Sequence, residues 1–303
     1  MFINPRVDFA FKKLFGSEEN KDLLISLINA IVSEPDQVAD LYLKNPYNLA
    51  EYRQGKMSVL DIKAQNVKGQ WYNIEMQITE DCHFDKRALY YWAKLLGEQL
   101  DEGSLYKTLQ KTISINILDF NYIYGREEFH NCYKILNTET GKSDDLHEMF
   151  ELHYIELRKF HKDYHQIVSA LDRWTTFLTR AHDLSKRQLP HELEDAGIVK
   201  ALAAVERMFD SEERLVYEVR RQAMMDYESK IDSAIEKGRT EGLEKGIAEG
   251  LEKGIAEGLE KGIAKGLEKG IAKGLEKGIE ESLARLIANG IAESEARRLL
   301  GLL

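Results

Sequence analysis

Apolar and polar residues alternate along two neighbouring runs of this chain, residues 56–66 and 71–79. Because successive side chains of a strand point to opposite faces, this alternation predicts a β-hairpin. One predicted face is apolar, and the other is mostly polar. The polar face carries Asp61, Lys63 and Gln65 from the first strand and Asn73, Glu75, Gln77 and Thr79 from the second.

The register of this hairpin depends on the length of its loop. A three-residue loop, 67–69, puts Gly69 where a left-handed backbone is required and sets Asp61 opposite Glu75. A two-residue loop over 68–69 sets Asp61 opposite Met76 instead. We favour the longer loop because it keeps the apolar faces of both strands together. The Cβ atoms of the two acidic residues are then about 5 Å apart, and two like charges facing each other are destabilising unless something, such as a divalent cation, neutralises them.

In the segments around the hairpin, hydrophobic residues recur with the spacing of a helix in some segments and of a strand in others. This mixture is typical of an α/β fold. The predicted elements are a helix pair in 6–32 that breaks near Gly16, a helix over 83–103, a buried strand over 112–124, a second hairpin over 129–136 and 149–157, and helices near 167–182, 193–209 and 211–232. We divide the chain into a core, 1–160, a helical extension, 161–237, a repeat tail, 238–281, and a short C-terminal helical segment, 282–303.

The tail contains five near-identical eight-residue units, residues 240–279, of the EKGIAEGL type. Glycine recurs at every fourth position from Gly238 to Gly278, and these eleven glycines cost a helix on the order of 10 kcal/mol relative to alanine. Alone, the tail is therefore expected to be a fluctuating helix at best. Its regular Leu and Ile positions leave ordering by self-association into a homo-oligomer as the alternative.

Composition narrows the class of protein. The chain has 303 residues, 43% of them hydrophobic, and a net charge of -10, which argues against a protein that coats nucleic acid but does not exclude a nuclease. Its two cysteines, Cys82 and Cys132, form no CxxC pair, so we expect a reducing cytoplasm. No apolar run has signal-peptide or membrane-spanning length, so no membrane partner is expected. His130 and His153 are expected to be structural.

Four segments together resemble the recombination-promoting nuclease and transposase family of the PD-(D/E)XK nuclease superfamily. They are VDFAFKKLFG at 7–16, LDIKAQ at 60–65, YNIEMQ at 72–77 and RALYYWAKL at 87–95. The resemblance implies a restriction-endonuclease-like core, a mixed β-sheet flanked by helices. It also implies cleavage of DNA phosphodiester bonds with Mg²⁺, or alternatively Mn²⁺.

The resemblance also implies roles for individual residues. Asp61 would be the central metal ligand and Glu75 the second carboxylate, while Gln77 stands where the superfamily usually has a catalytic lysine. Lys63, on the same strand face, is one candidate for the missing charge, although an exposed strand lysine is commonplace. Asp8 is either a further metal ligand or the residue that starts its helix.

Two functions follow from these observations. The leading hypothesis is a Mg²⁺-dependent endodeoxyribonuclease associated with recombination or mobile DNA. The alternative is a catalytically weak scaffold that binds DNA or protein and assembles through the repeat tail. Metal-dependent nicking of DNA distinguishes them, because a scaffold binds without turnover.

Overall fold

The computed structural model describes residues 3–45, 61–143, 148–184 and 189–302. The chain divides into two compact units, Met1–Glu228 and Ser229–Leu303, here called the core unit and the tail unit. The first residues of the predicted hairpin, 56–60, lie outside the described residues. Among those described, no helix combines the length and the apolar character that crossing a membrane requires.

The core unit is built on one mixed β-sheet of six strands in the order β1-β2-β3-β4-β6-β5. The pairs β3–β4 and β4–β6 are parallel and the other pairs are antiparallel. The mixed sheet with flanking helices is therefore confirmed. The strands are β1 Leu41–Leu43, β2 Ile62–Asn66, β3 Trp71–Gln77, β4 Thr112–Leu118, β5 His130–Lys134 and β6 Phe150–Glu156.

Strands β2 and β3 form the first predicted hairpin with the favoured three-residue loop. Ile62 pairs with Ile74, and this register continues to Asp61 opposite Glu75. Gly69 has a φ of 88° and donates its N–H to the carbonyl of Asn66 at 3.0 Å. A side chain is strained in that left-handed conformation, so glycine determines the loop and the loop determines the register.

Strands β5 and β6 form the second predicted hairpin, in which Cys132 pairs with His153. The central strand β4 is buried along its whole length, as predicted, but it ends at Leu118, before the predicted end at residue 124. After this point the chain leaves the sheet, and the Tyr122 and Ile123 N–H groups donate to the side chain of Glu156, at its Oε1.

Helices cover both faces of the sheet. Helices α1 and α2 belong to the main core, which contains Phe9, Leu24, Ile74 and Ile115, and α3 packs on the other face through Phe84 and neighbouring aromatic residues. The helices of the core unit are α1 Asp8–Phe15, α2 Lys21–Ile31, α3 Phe84–Gly97, α4 Ala170–Arg180, α5 Ala196–Arg207 and the first part of α6, Ser211–Ala288.

The start of α6 packs on the N-terminal segment of the chain. Tyr217 is buried, accepts the Asn4 N–H at 2.8 Å, and contacts Phe209, which stacks on Phe9 of α1. The helical pattern in residues 161–237 predicted these helices, and their side chains belong to the same hydrophobic core as those of the sheet.

The tail unit contains the rest of α6 and a short helix, α7 Glu293–Leu299. The expectation of a fluctuating helix differs from the continuous helix of the structure. Extending an existing helix needs no new nucleus, and Ala, Leu, Glu and Lys at the other repeat positions favour helix, which offsets part of the glycine cost. The long helix stops just before Gly290, whose φ of 88° is typical of a helix C-terminus.

Candidate active site

Asp61 and Glu75 hold each other through the backbone of the hairpin. The Asp61 N–H donates to Glu75 Oε1 at 3.2 Å, and the Met76 N–H donates to Asp61 Oδ2 at 2.8 Å. Glu75 is buried and Asp61 is half-buried. Each carboxylate is thus fixed by the opposite strand, and the register of the hairpin brings the two together.

Burial makes both carboxylates resist ionisation. Burial, together with the weaker effect of the Asp8 charge, raises the pKa of Asp61 to about 6, even though the Met76 N–H, Lys12 and Arg87 lower it. Burial, followed by the charge of Asp61, holds the pKa of Glu75 well above its ordinary value. Ionising both groups therefore costs free energy that a bound cation would recover.

Gln77 holds a cation beside this pair. Its Oε1 accepts a hydrogen bond from Arg87 Nη2 at 2.6 Å, and its Nε2 donates to the carbonyl of Thr79 at 2.9 Å. Arg87 also pairs with Asp81 at 3.2 Å and lies over the ring of Phe84. The neutral amide therefore orients a guanidinium of α3 next to the carboxylates.

The carboxylates open into a cavity of about 430 Å³. One wall comes from α6, where residues 220, 224 and 227 lie on one face because they are spaced by four and three. Arg220 Nη1 lies 3.5 Å from Asp8 Oδ2. The polar and aromatic side chains that line the cavity include Asp8, Gln77, Arg87, Tyr91, Arg220 and Tyr227.

Asp8 and Lys63, the two other candidates from the sequence, occupy different positions. Asp8 begins α1, accepts the Phe9 N–H at 2.8 Å and lines the cavity, so it does start its helix and also faces the site. Lys63 is ion-paired with Glu98 and lies 5.1 Å from the ring centre of Trp71. It is not among the residues that line the cavity.

A family model described as PD-(D/E)XK nuclease family transposase matches residues 5–234. The chain belongs to this family. Searches of curated proteins and of solved structures gave no match. The matched region of this PD-(D/E)XK chain includes every residue of the candidate site, and it ends before the repeat units begin.

In this PD-(D/E)XK protein the available donors fit a hard divalent cation. The site offers carboxylate oxygens, and no cysteine or histidine among the described residues lines the cavity, which is the ligand set that Mg²⁺ and Mn²⁺ prefer. The raised pKa values of Asp61 and Glu75 also favour a cation at this site. They arise because acidic groups lie close together where water is largely excluded, and a bound cation would stabilise their ionised forms.

Sequence reasoning missed two basic residues of the site. Arg220 lies far along the chain, and only packing of α6 brings it to the cavity. Lys12 is buried and acts electrostatically on Asp61. Its spacing of four from Asp8 on α1 was the available signal, since that spacing puts both on one side of the helix.

Proposed function

We propose that this protein is a metal-dependent DNA endonuclease, active in recombination or in the movement of mobile DNA. One observation carries the proposal: two desolvated carboxylates, Asp61 and Glu75, are fixed reciprocally by the strands of a hairpin and face a cavity lined with cations. The family is a nuclease family, and DNA is the substrate that its transposase description implies.

Asp61 and Glu75 would hold the metal, Mg²⁺ or alternatively Mn²⁺, with Asp8 as a further oxygen donor. When bound, the cation supplies Lewis-acid polarisation of the phosphate and a more acidic water. The hydrogen bonds from the Met76 and Asp61 N–H groups orient the two carboxylates before any ligand arrives, so little reorganisation is needed.

Arg87 takes the place of the usual lysine in this proposal. A guanidinium bound to Gln77 keeps further N–H donors, and its charge suits the phosphate oxygens of the scissile group. Arg220 supplies a second cation from the wall that α6 forms. Gln77 is then a positioning residue, which explains how Glu-x-Gln serves at a place where lysine is usual.

Plasmid cleavage tests the proposal. The full chain is incubated with supercoiled plasmid, with and without Mg²⁺, beside Asp61→Ala and the matched control Asp101→Ala, which changes an exposed aspartate outside the cavity. We expect nicking by wild type and the control only with Mg²⁺, and none by Asp61→Ala. Equal cleavage by Asp61→Ala, or no cleavage by wild type with either metal, contradicts it.

The repeat tail is proposed to assemble copies of the chain. Its Leu and Ile side chains from Leu243 to Leu275 are 62–66% exposed, and a Cβ added at any repeat glycine would meet open space. The first three units carry two Glu and one Lys each, whereas the last two carry one Glu and two Lys. Opposite charges favour an antiparallel partner, a second copy of the same tail.

The scaffold remains the second candidate function, because exposed apolar positions along α6 favour binding to another chain. In that case the core binds DNA without cleaving it, and in the plasmid assay the protein binds the plasmid but does not nick it. The cytoplasm stays our expected location, since both cysteines are unpaired and exposed.

A further inference from the structure

A second cluster of ligand-bearing side chains lies on the edge of the sheet, where β5 pairs with β6. Cys132, Glu151 and His153 each place one ligand atom within 4.8 Å of the others. Within the described part of the chain, no other group of three His, Cys, Asp or Glu side chains comes this close. None of the three residues lines the candidate active site.

The register of β5 and β6 creates the cluster. Cys132 and His153 are paired residues, and Glu151 lies two residues before His153 on the same face. Glu151 and His153 are buried, whereas Cys132 is exposed on the outermost strand, which gives solvent a route to the thiol. The three residues come from two strands, so no linear spacing in the sequence reveals them.

The donor atoms converge on one nitrogen. His153 Nε2 lies 2.8 Å from Glu151 Oε1 and 4.0 Å from Cys132 Sγ. A cysteine nucleophile with a histidine base needs the acid on the other ring nitrogen, so this arrangement does not fit nucleophilic catalysis. Donors around a tetrahedral zinc ion are separated by about 3.3–3.8 Å, and the two distances lie on either side of that range.

The surrounding residues hold these donors as the outer partners of metal ligands do. His153 Nδ1 lies 2.9 Å from His130 Nε2, so the second ring nitrogen has a partner. Lys111 and Lys134 lie 2.7 and 3.1 Å from Glu151 Oε2. Both lysines therefore hold the carboxylate oxygen that faces away from the imidazole, while Oε1 stays toward Cys132 and His153.

We propose that Cys132, Glu151 and His153 form a second cation site, which takes a divalent ion of the zinc class and joins the edge strand β5 to β6. Sulfur, nitrogen and one oxygen select zinc over Mg²⁺, because a thiolate is a soft ligand. Three protein ligands leave a fourth position for water or for a further group. The site is independent of the proposed nuclease function.

Cobalt binding tests this site, because a cobalt–thiolate bond gives a charge-transfer band in the near ultraviolet. Metal-free full-length protein is titrated with Co²⁺ in excess Mg²⁺, beside Cys132→Ser and the control Cys82→Ser, which removes the other exposed cysteine. We expect the band in wild type and in Cys82→Ser, its loss in Cys132→Ser, and displacement of cobalt by Zn²⁺.

A second variant and a second measurement complete the test. His130→Gln should weaken zinc affinity by about 10–100-fold while the band remains, since His130 only supports His153. Zn²⁺ should raise the unfolding temperature of Cys82→Ser and not that of Cys132→Ser, with circular dichroism showing that both fold. Absence of the band in wild type, or an unchanged band in Cys132→Ser, overturns the proposal.

Discussion

The hairpin around Asp61 and the repeat tail differ in how far their side chains are held by other parts of the chain. In the hairpin the polar groups of the site are held by specific partners, and the backbone of one strand fixes the side chain of the other. In the tail the apolar side chains are mostly exposed and the glycines face open space. The contrast suggests that chemistry requires positions fixed within the chain, whereas assembly requires surfaces left uncovered.

Four sets of experiments test whether this division between chemistry and assembly holds. The largest expected effect is that of Glu75→Ala, which should lower the Mg²⁺-dependent cleavage rate by about 10²–10³-fold or more because it removes a preorganised charge. Plasmid nicking measures the effect, with Glu102→Ala, an exposed glutamate, as the matched control. Retention of the wild-type rate in folded Glu75→Ala would remove Glu75 from the site.

Arg87→Ala should lower the cleavage rate by about 10–100-fold, since it deletes one cation that faces the phosphate. Lys63→Ala is the matched control, because that lysine pairs with Glu98 outside the cavity. Gln77→Lys should keep measurable activity, because a lysine returns charge to the same position. A large loss in Lys63→Ala with none in Arg87→Ala would assign the cationic role to Lys63 instead.

The pH dependence of metal-free stability tests the electrostatics of the hairpin. The pKa of Asp61 is raised to about 6 in the folded state, so the unfolded chain loses that proton first. The free energy of unfolding should therefore fall as pH rises from about 4 to about 6, by about 1–3 kcal/mol for this group. The fall should be smaller in Asp61→Asn, measured by urea unfolding without divalent ions. Identical pH profiles would contradict the raised pKa.

The smallest effect on chemistry is expected from deletion of residues 240–279. Cleavage per active site should stay within about twofold of wild type, since the family match and the candidate site both end before the repeats. The oligomer mass from light scattering should drop. Unchanged mass would refute the assembly role. Loss of cleavage by a folded monomer would show that the tail contributes to the active site.

Local signals in the sequence were enough to predict the hairpin and its register. The alternation of Ile62 and Ala64 with polar residues, together with Gly69, leaves one pairing that buries both apolar faces. The two strands of the second hairpin were also predicted, although their register was not. The end of β4 at Leu118 was not predictable in this way, because the backbone N–H groups of Tyr122 and Ile123 donate to the side chain of Glu156, which lies much further along the chain.

The candidate site was predictable only where its residues share an element. Asp61, Glu75 and Gln77 lie on one hairpin, so spacing and family resemblance located them. A phosphate-binding role for Arg87, the partner of Gln77, was plausible from its distance to Glu75 in the sequence, but basic residues at the start of a helix are more often exposed. Arg220 reaches the cavity only through packing of Tyr217 and Phe209. Side chains that meet across long stretches of chain leave no periodic signal.

The repeat length of α6 gives the tail an adjustable geometry. An eight-residue unit in an α-helix adds about 12 Å and advances about 80° beyond two full turns. Each gain or loss of one unit by slippage of the repeated gene segment would therefore move α7 by one discrete step along and around the tail helix. The number of repeat units would therefore set both the length of the tail helix and the rotation of α7 about its axis, without a change to any residue of the core unit.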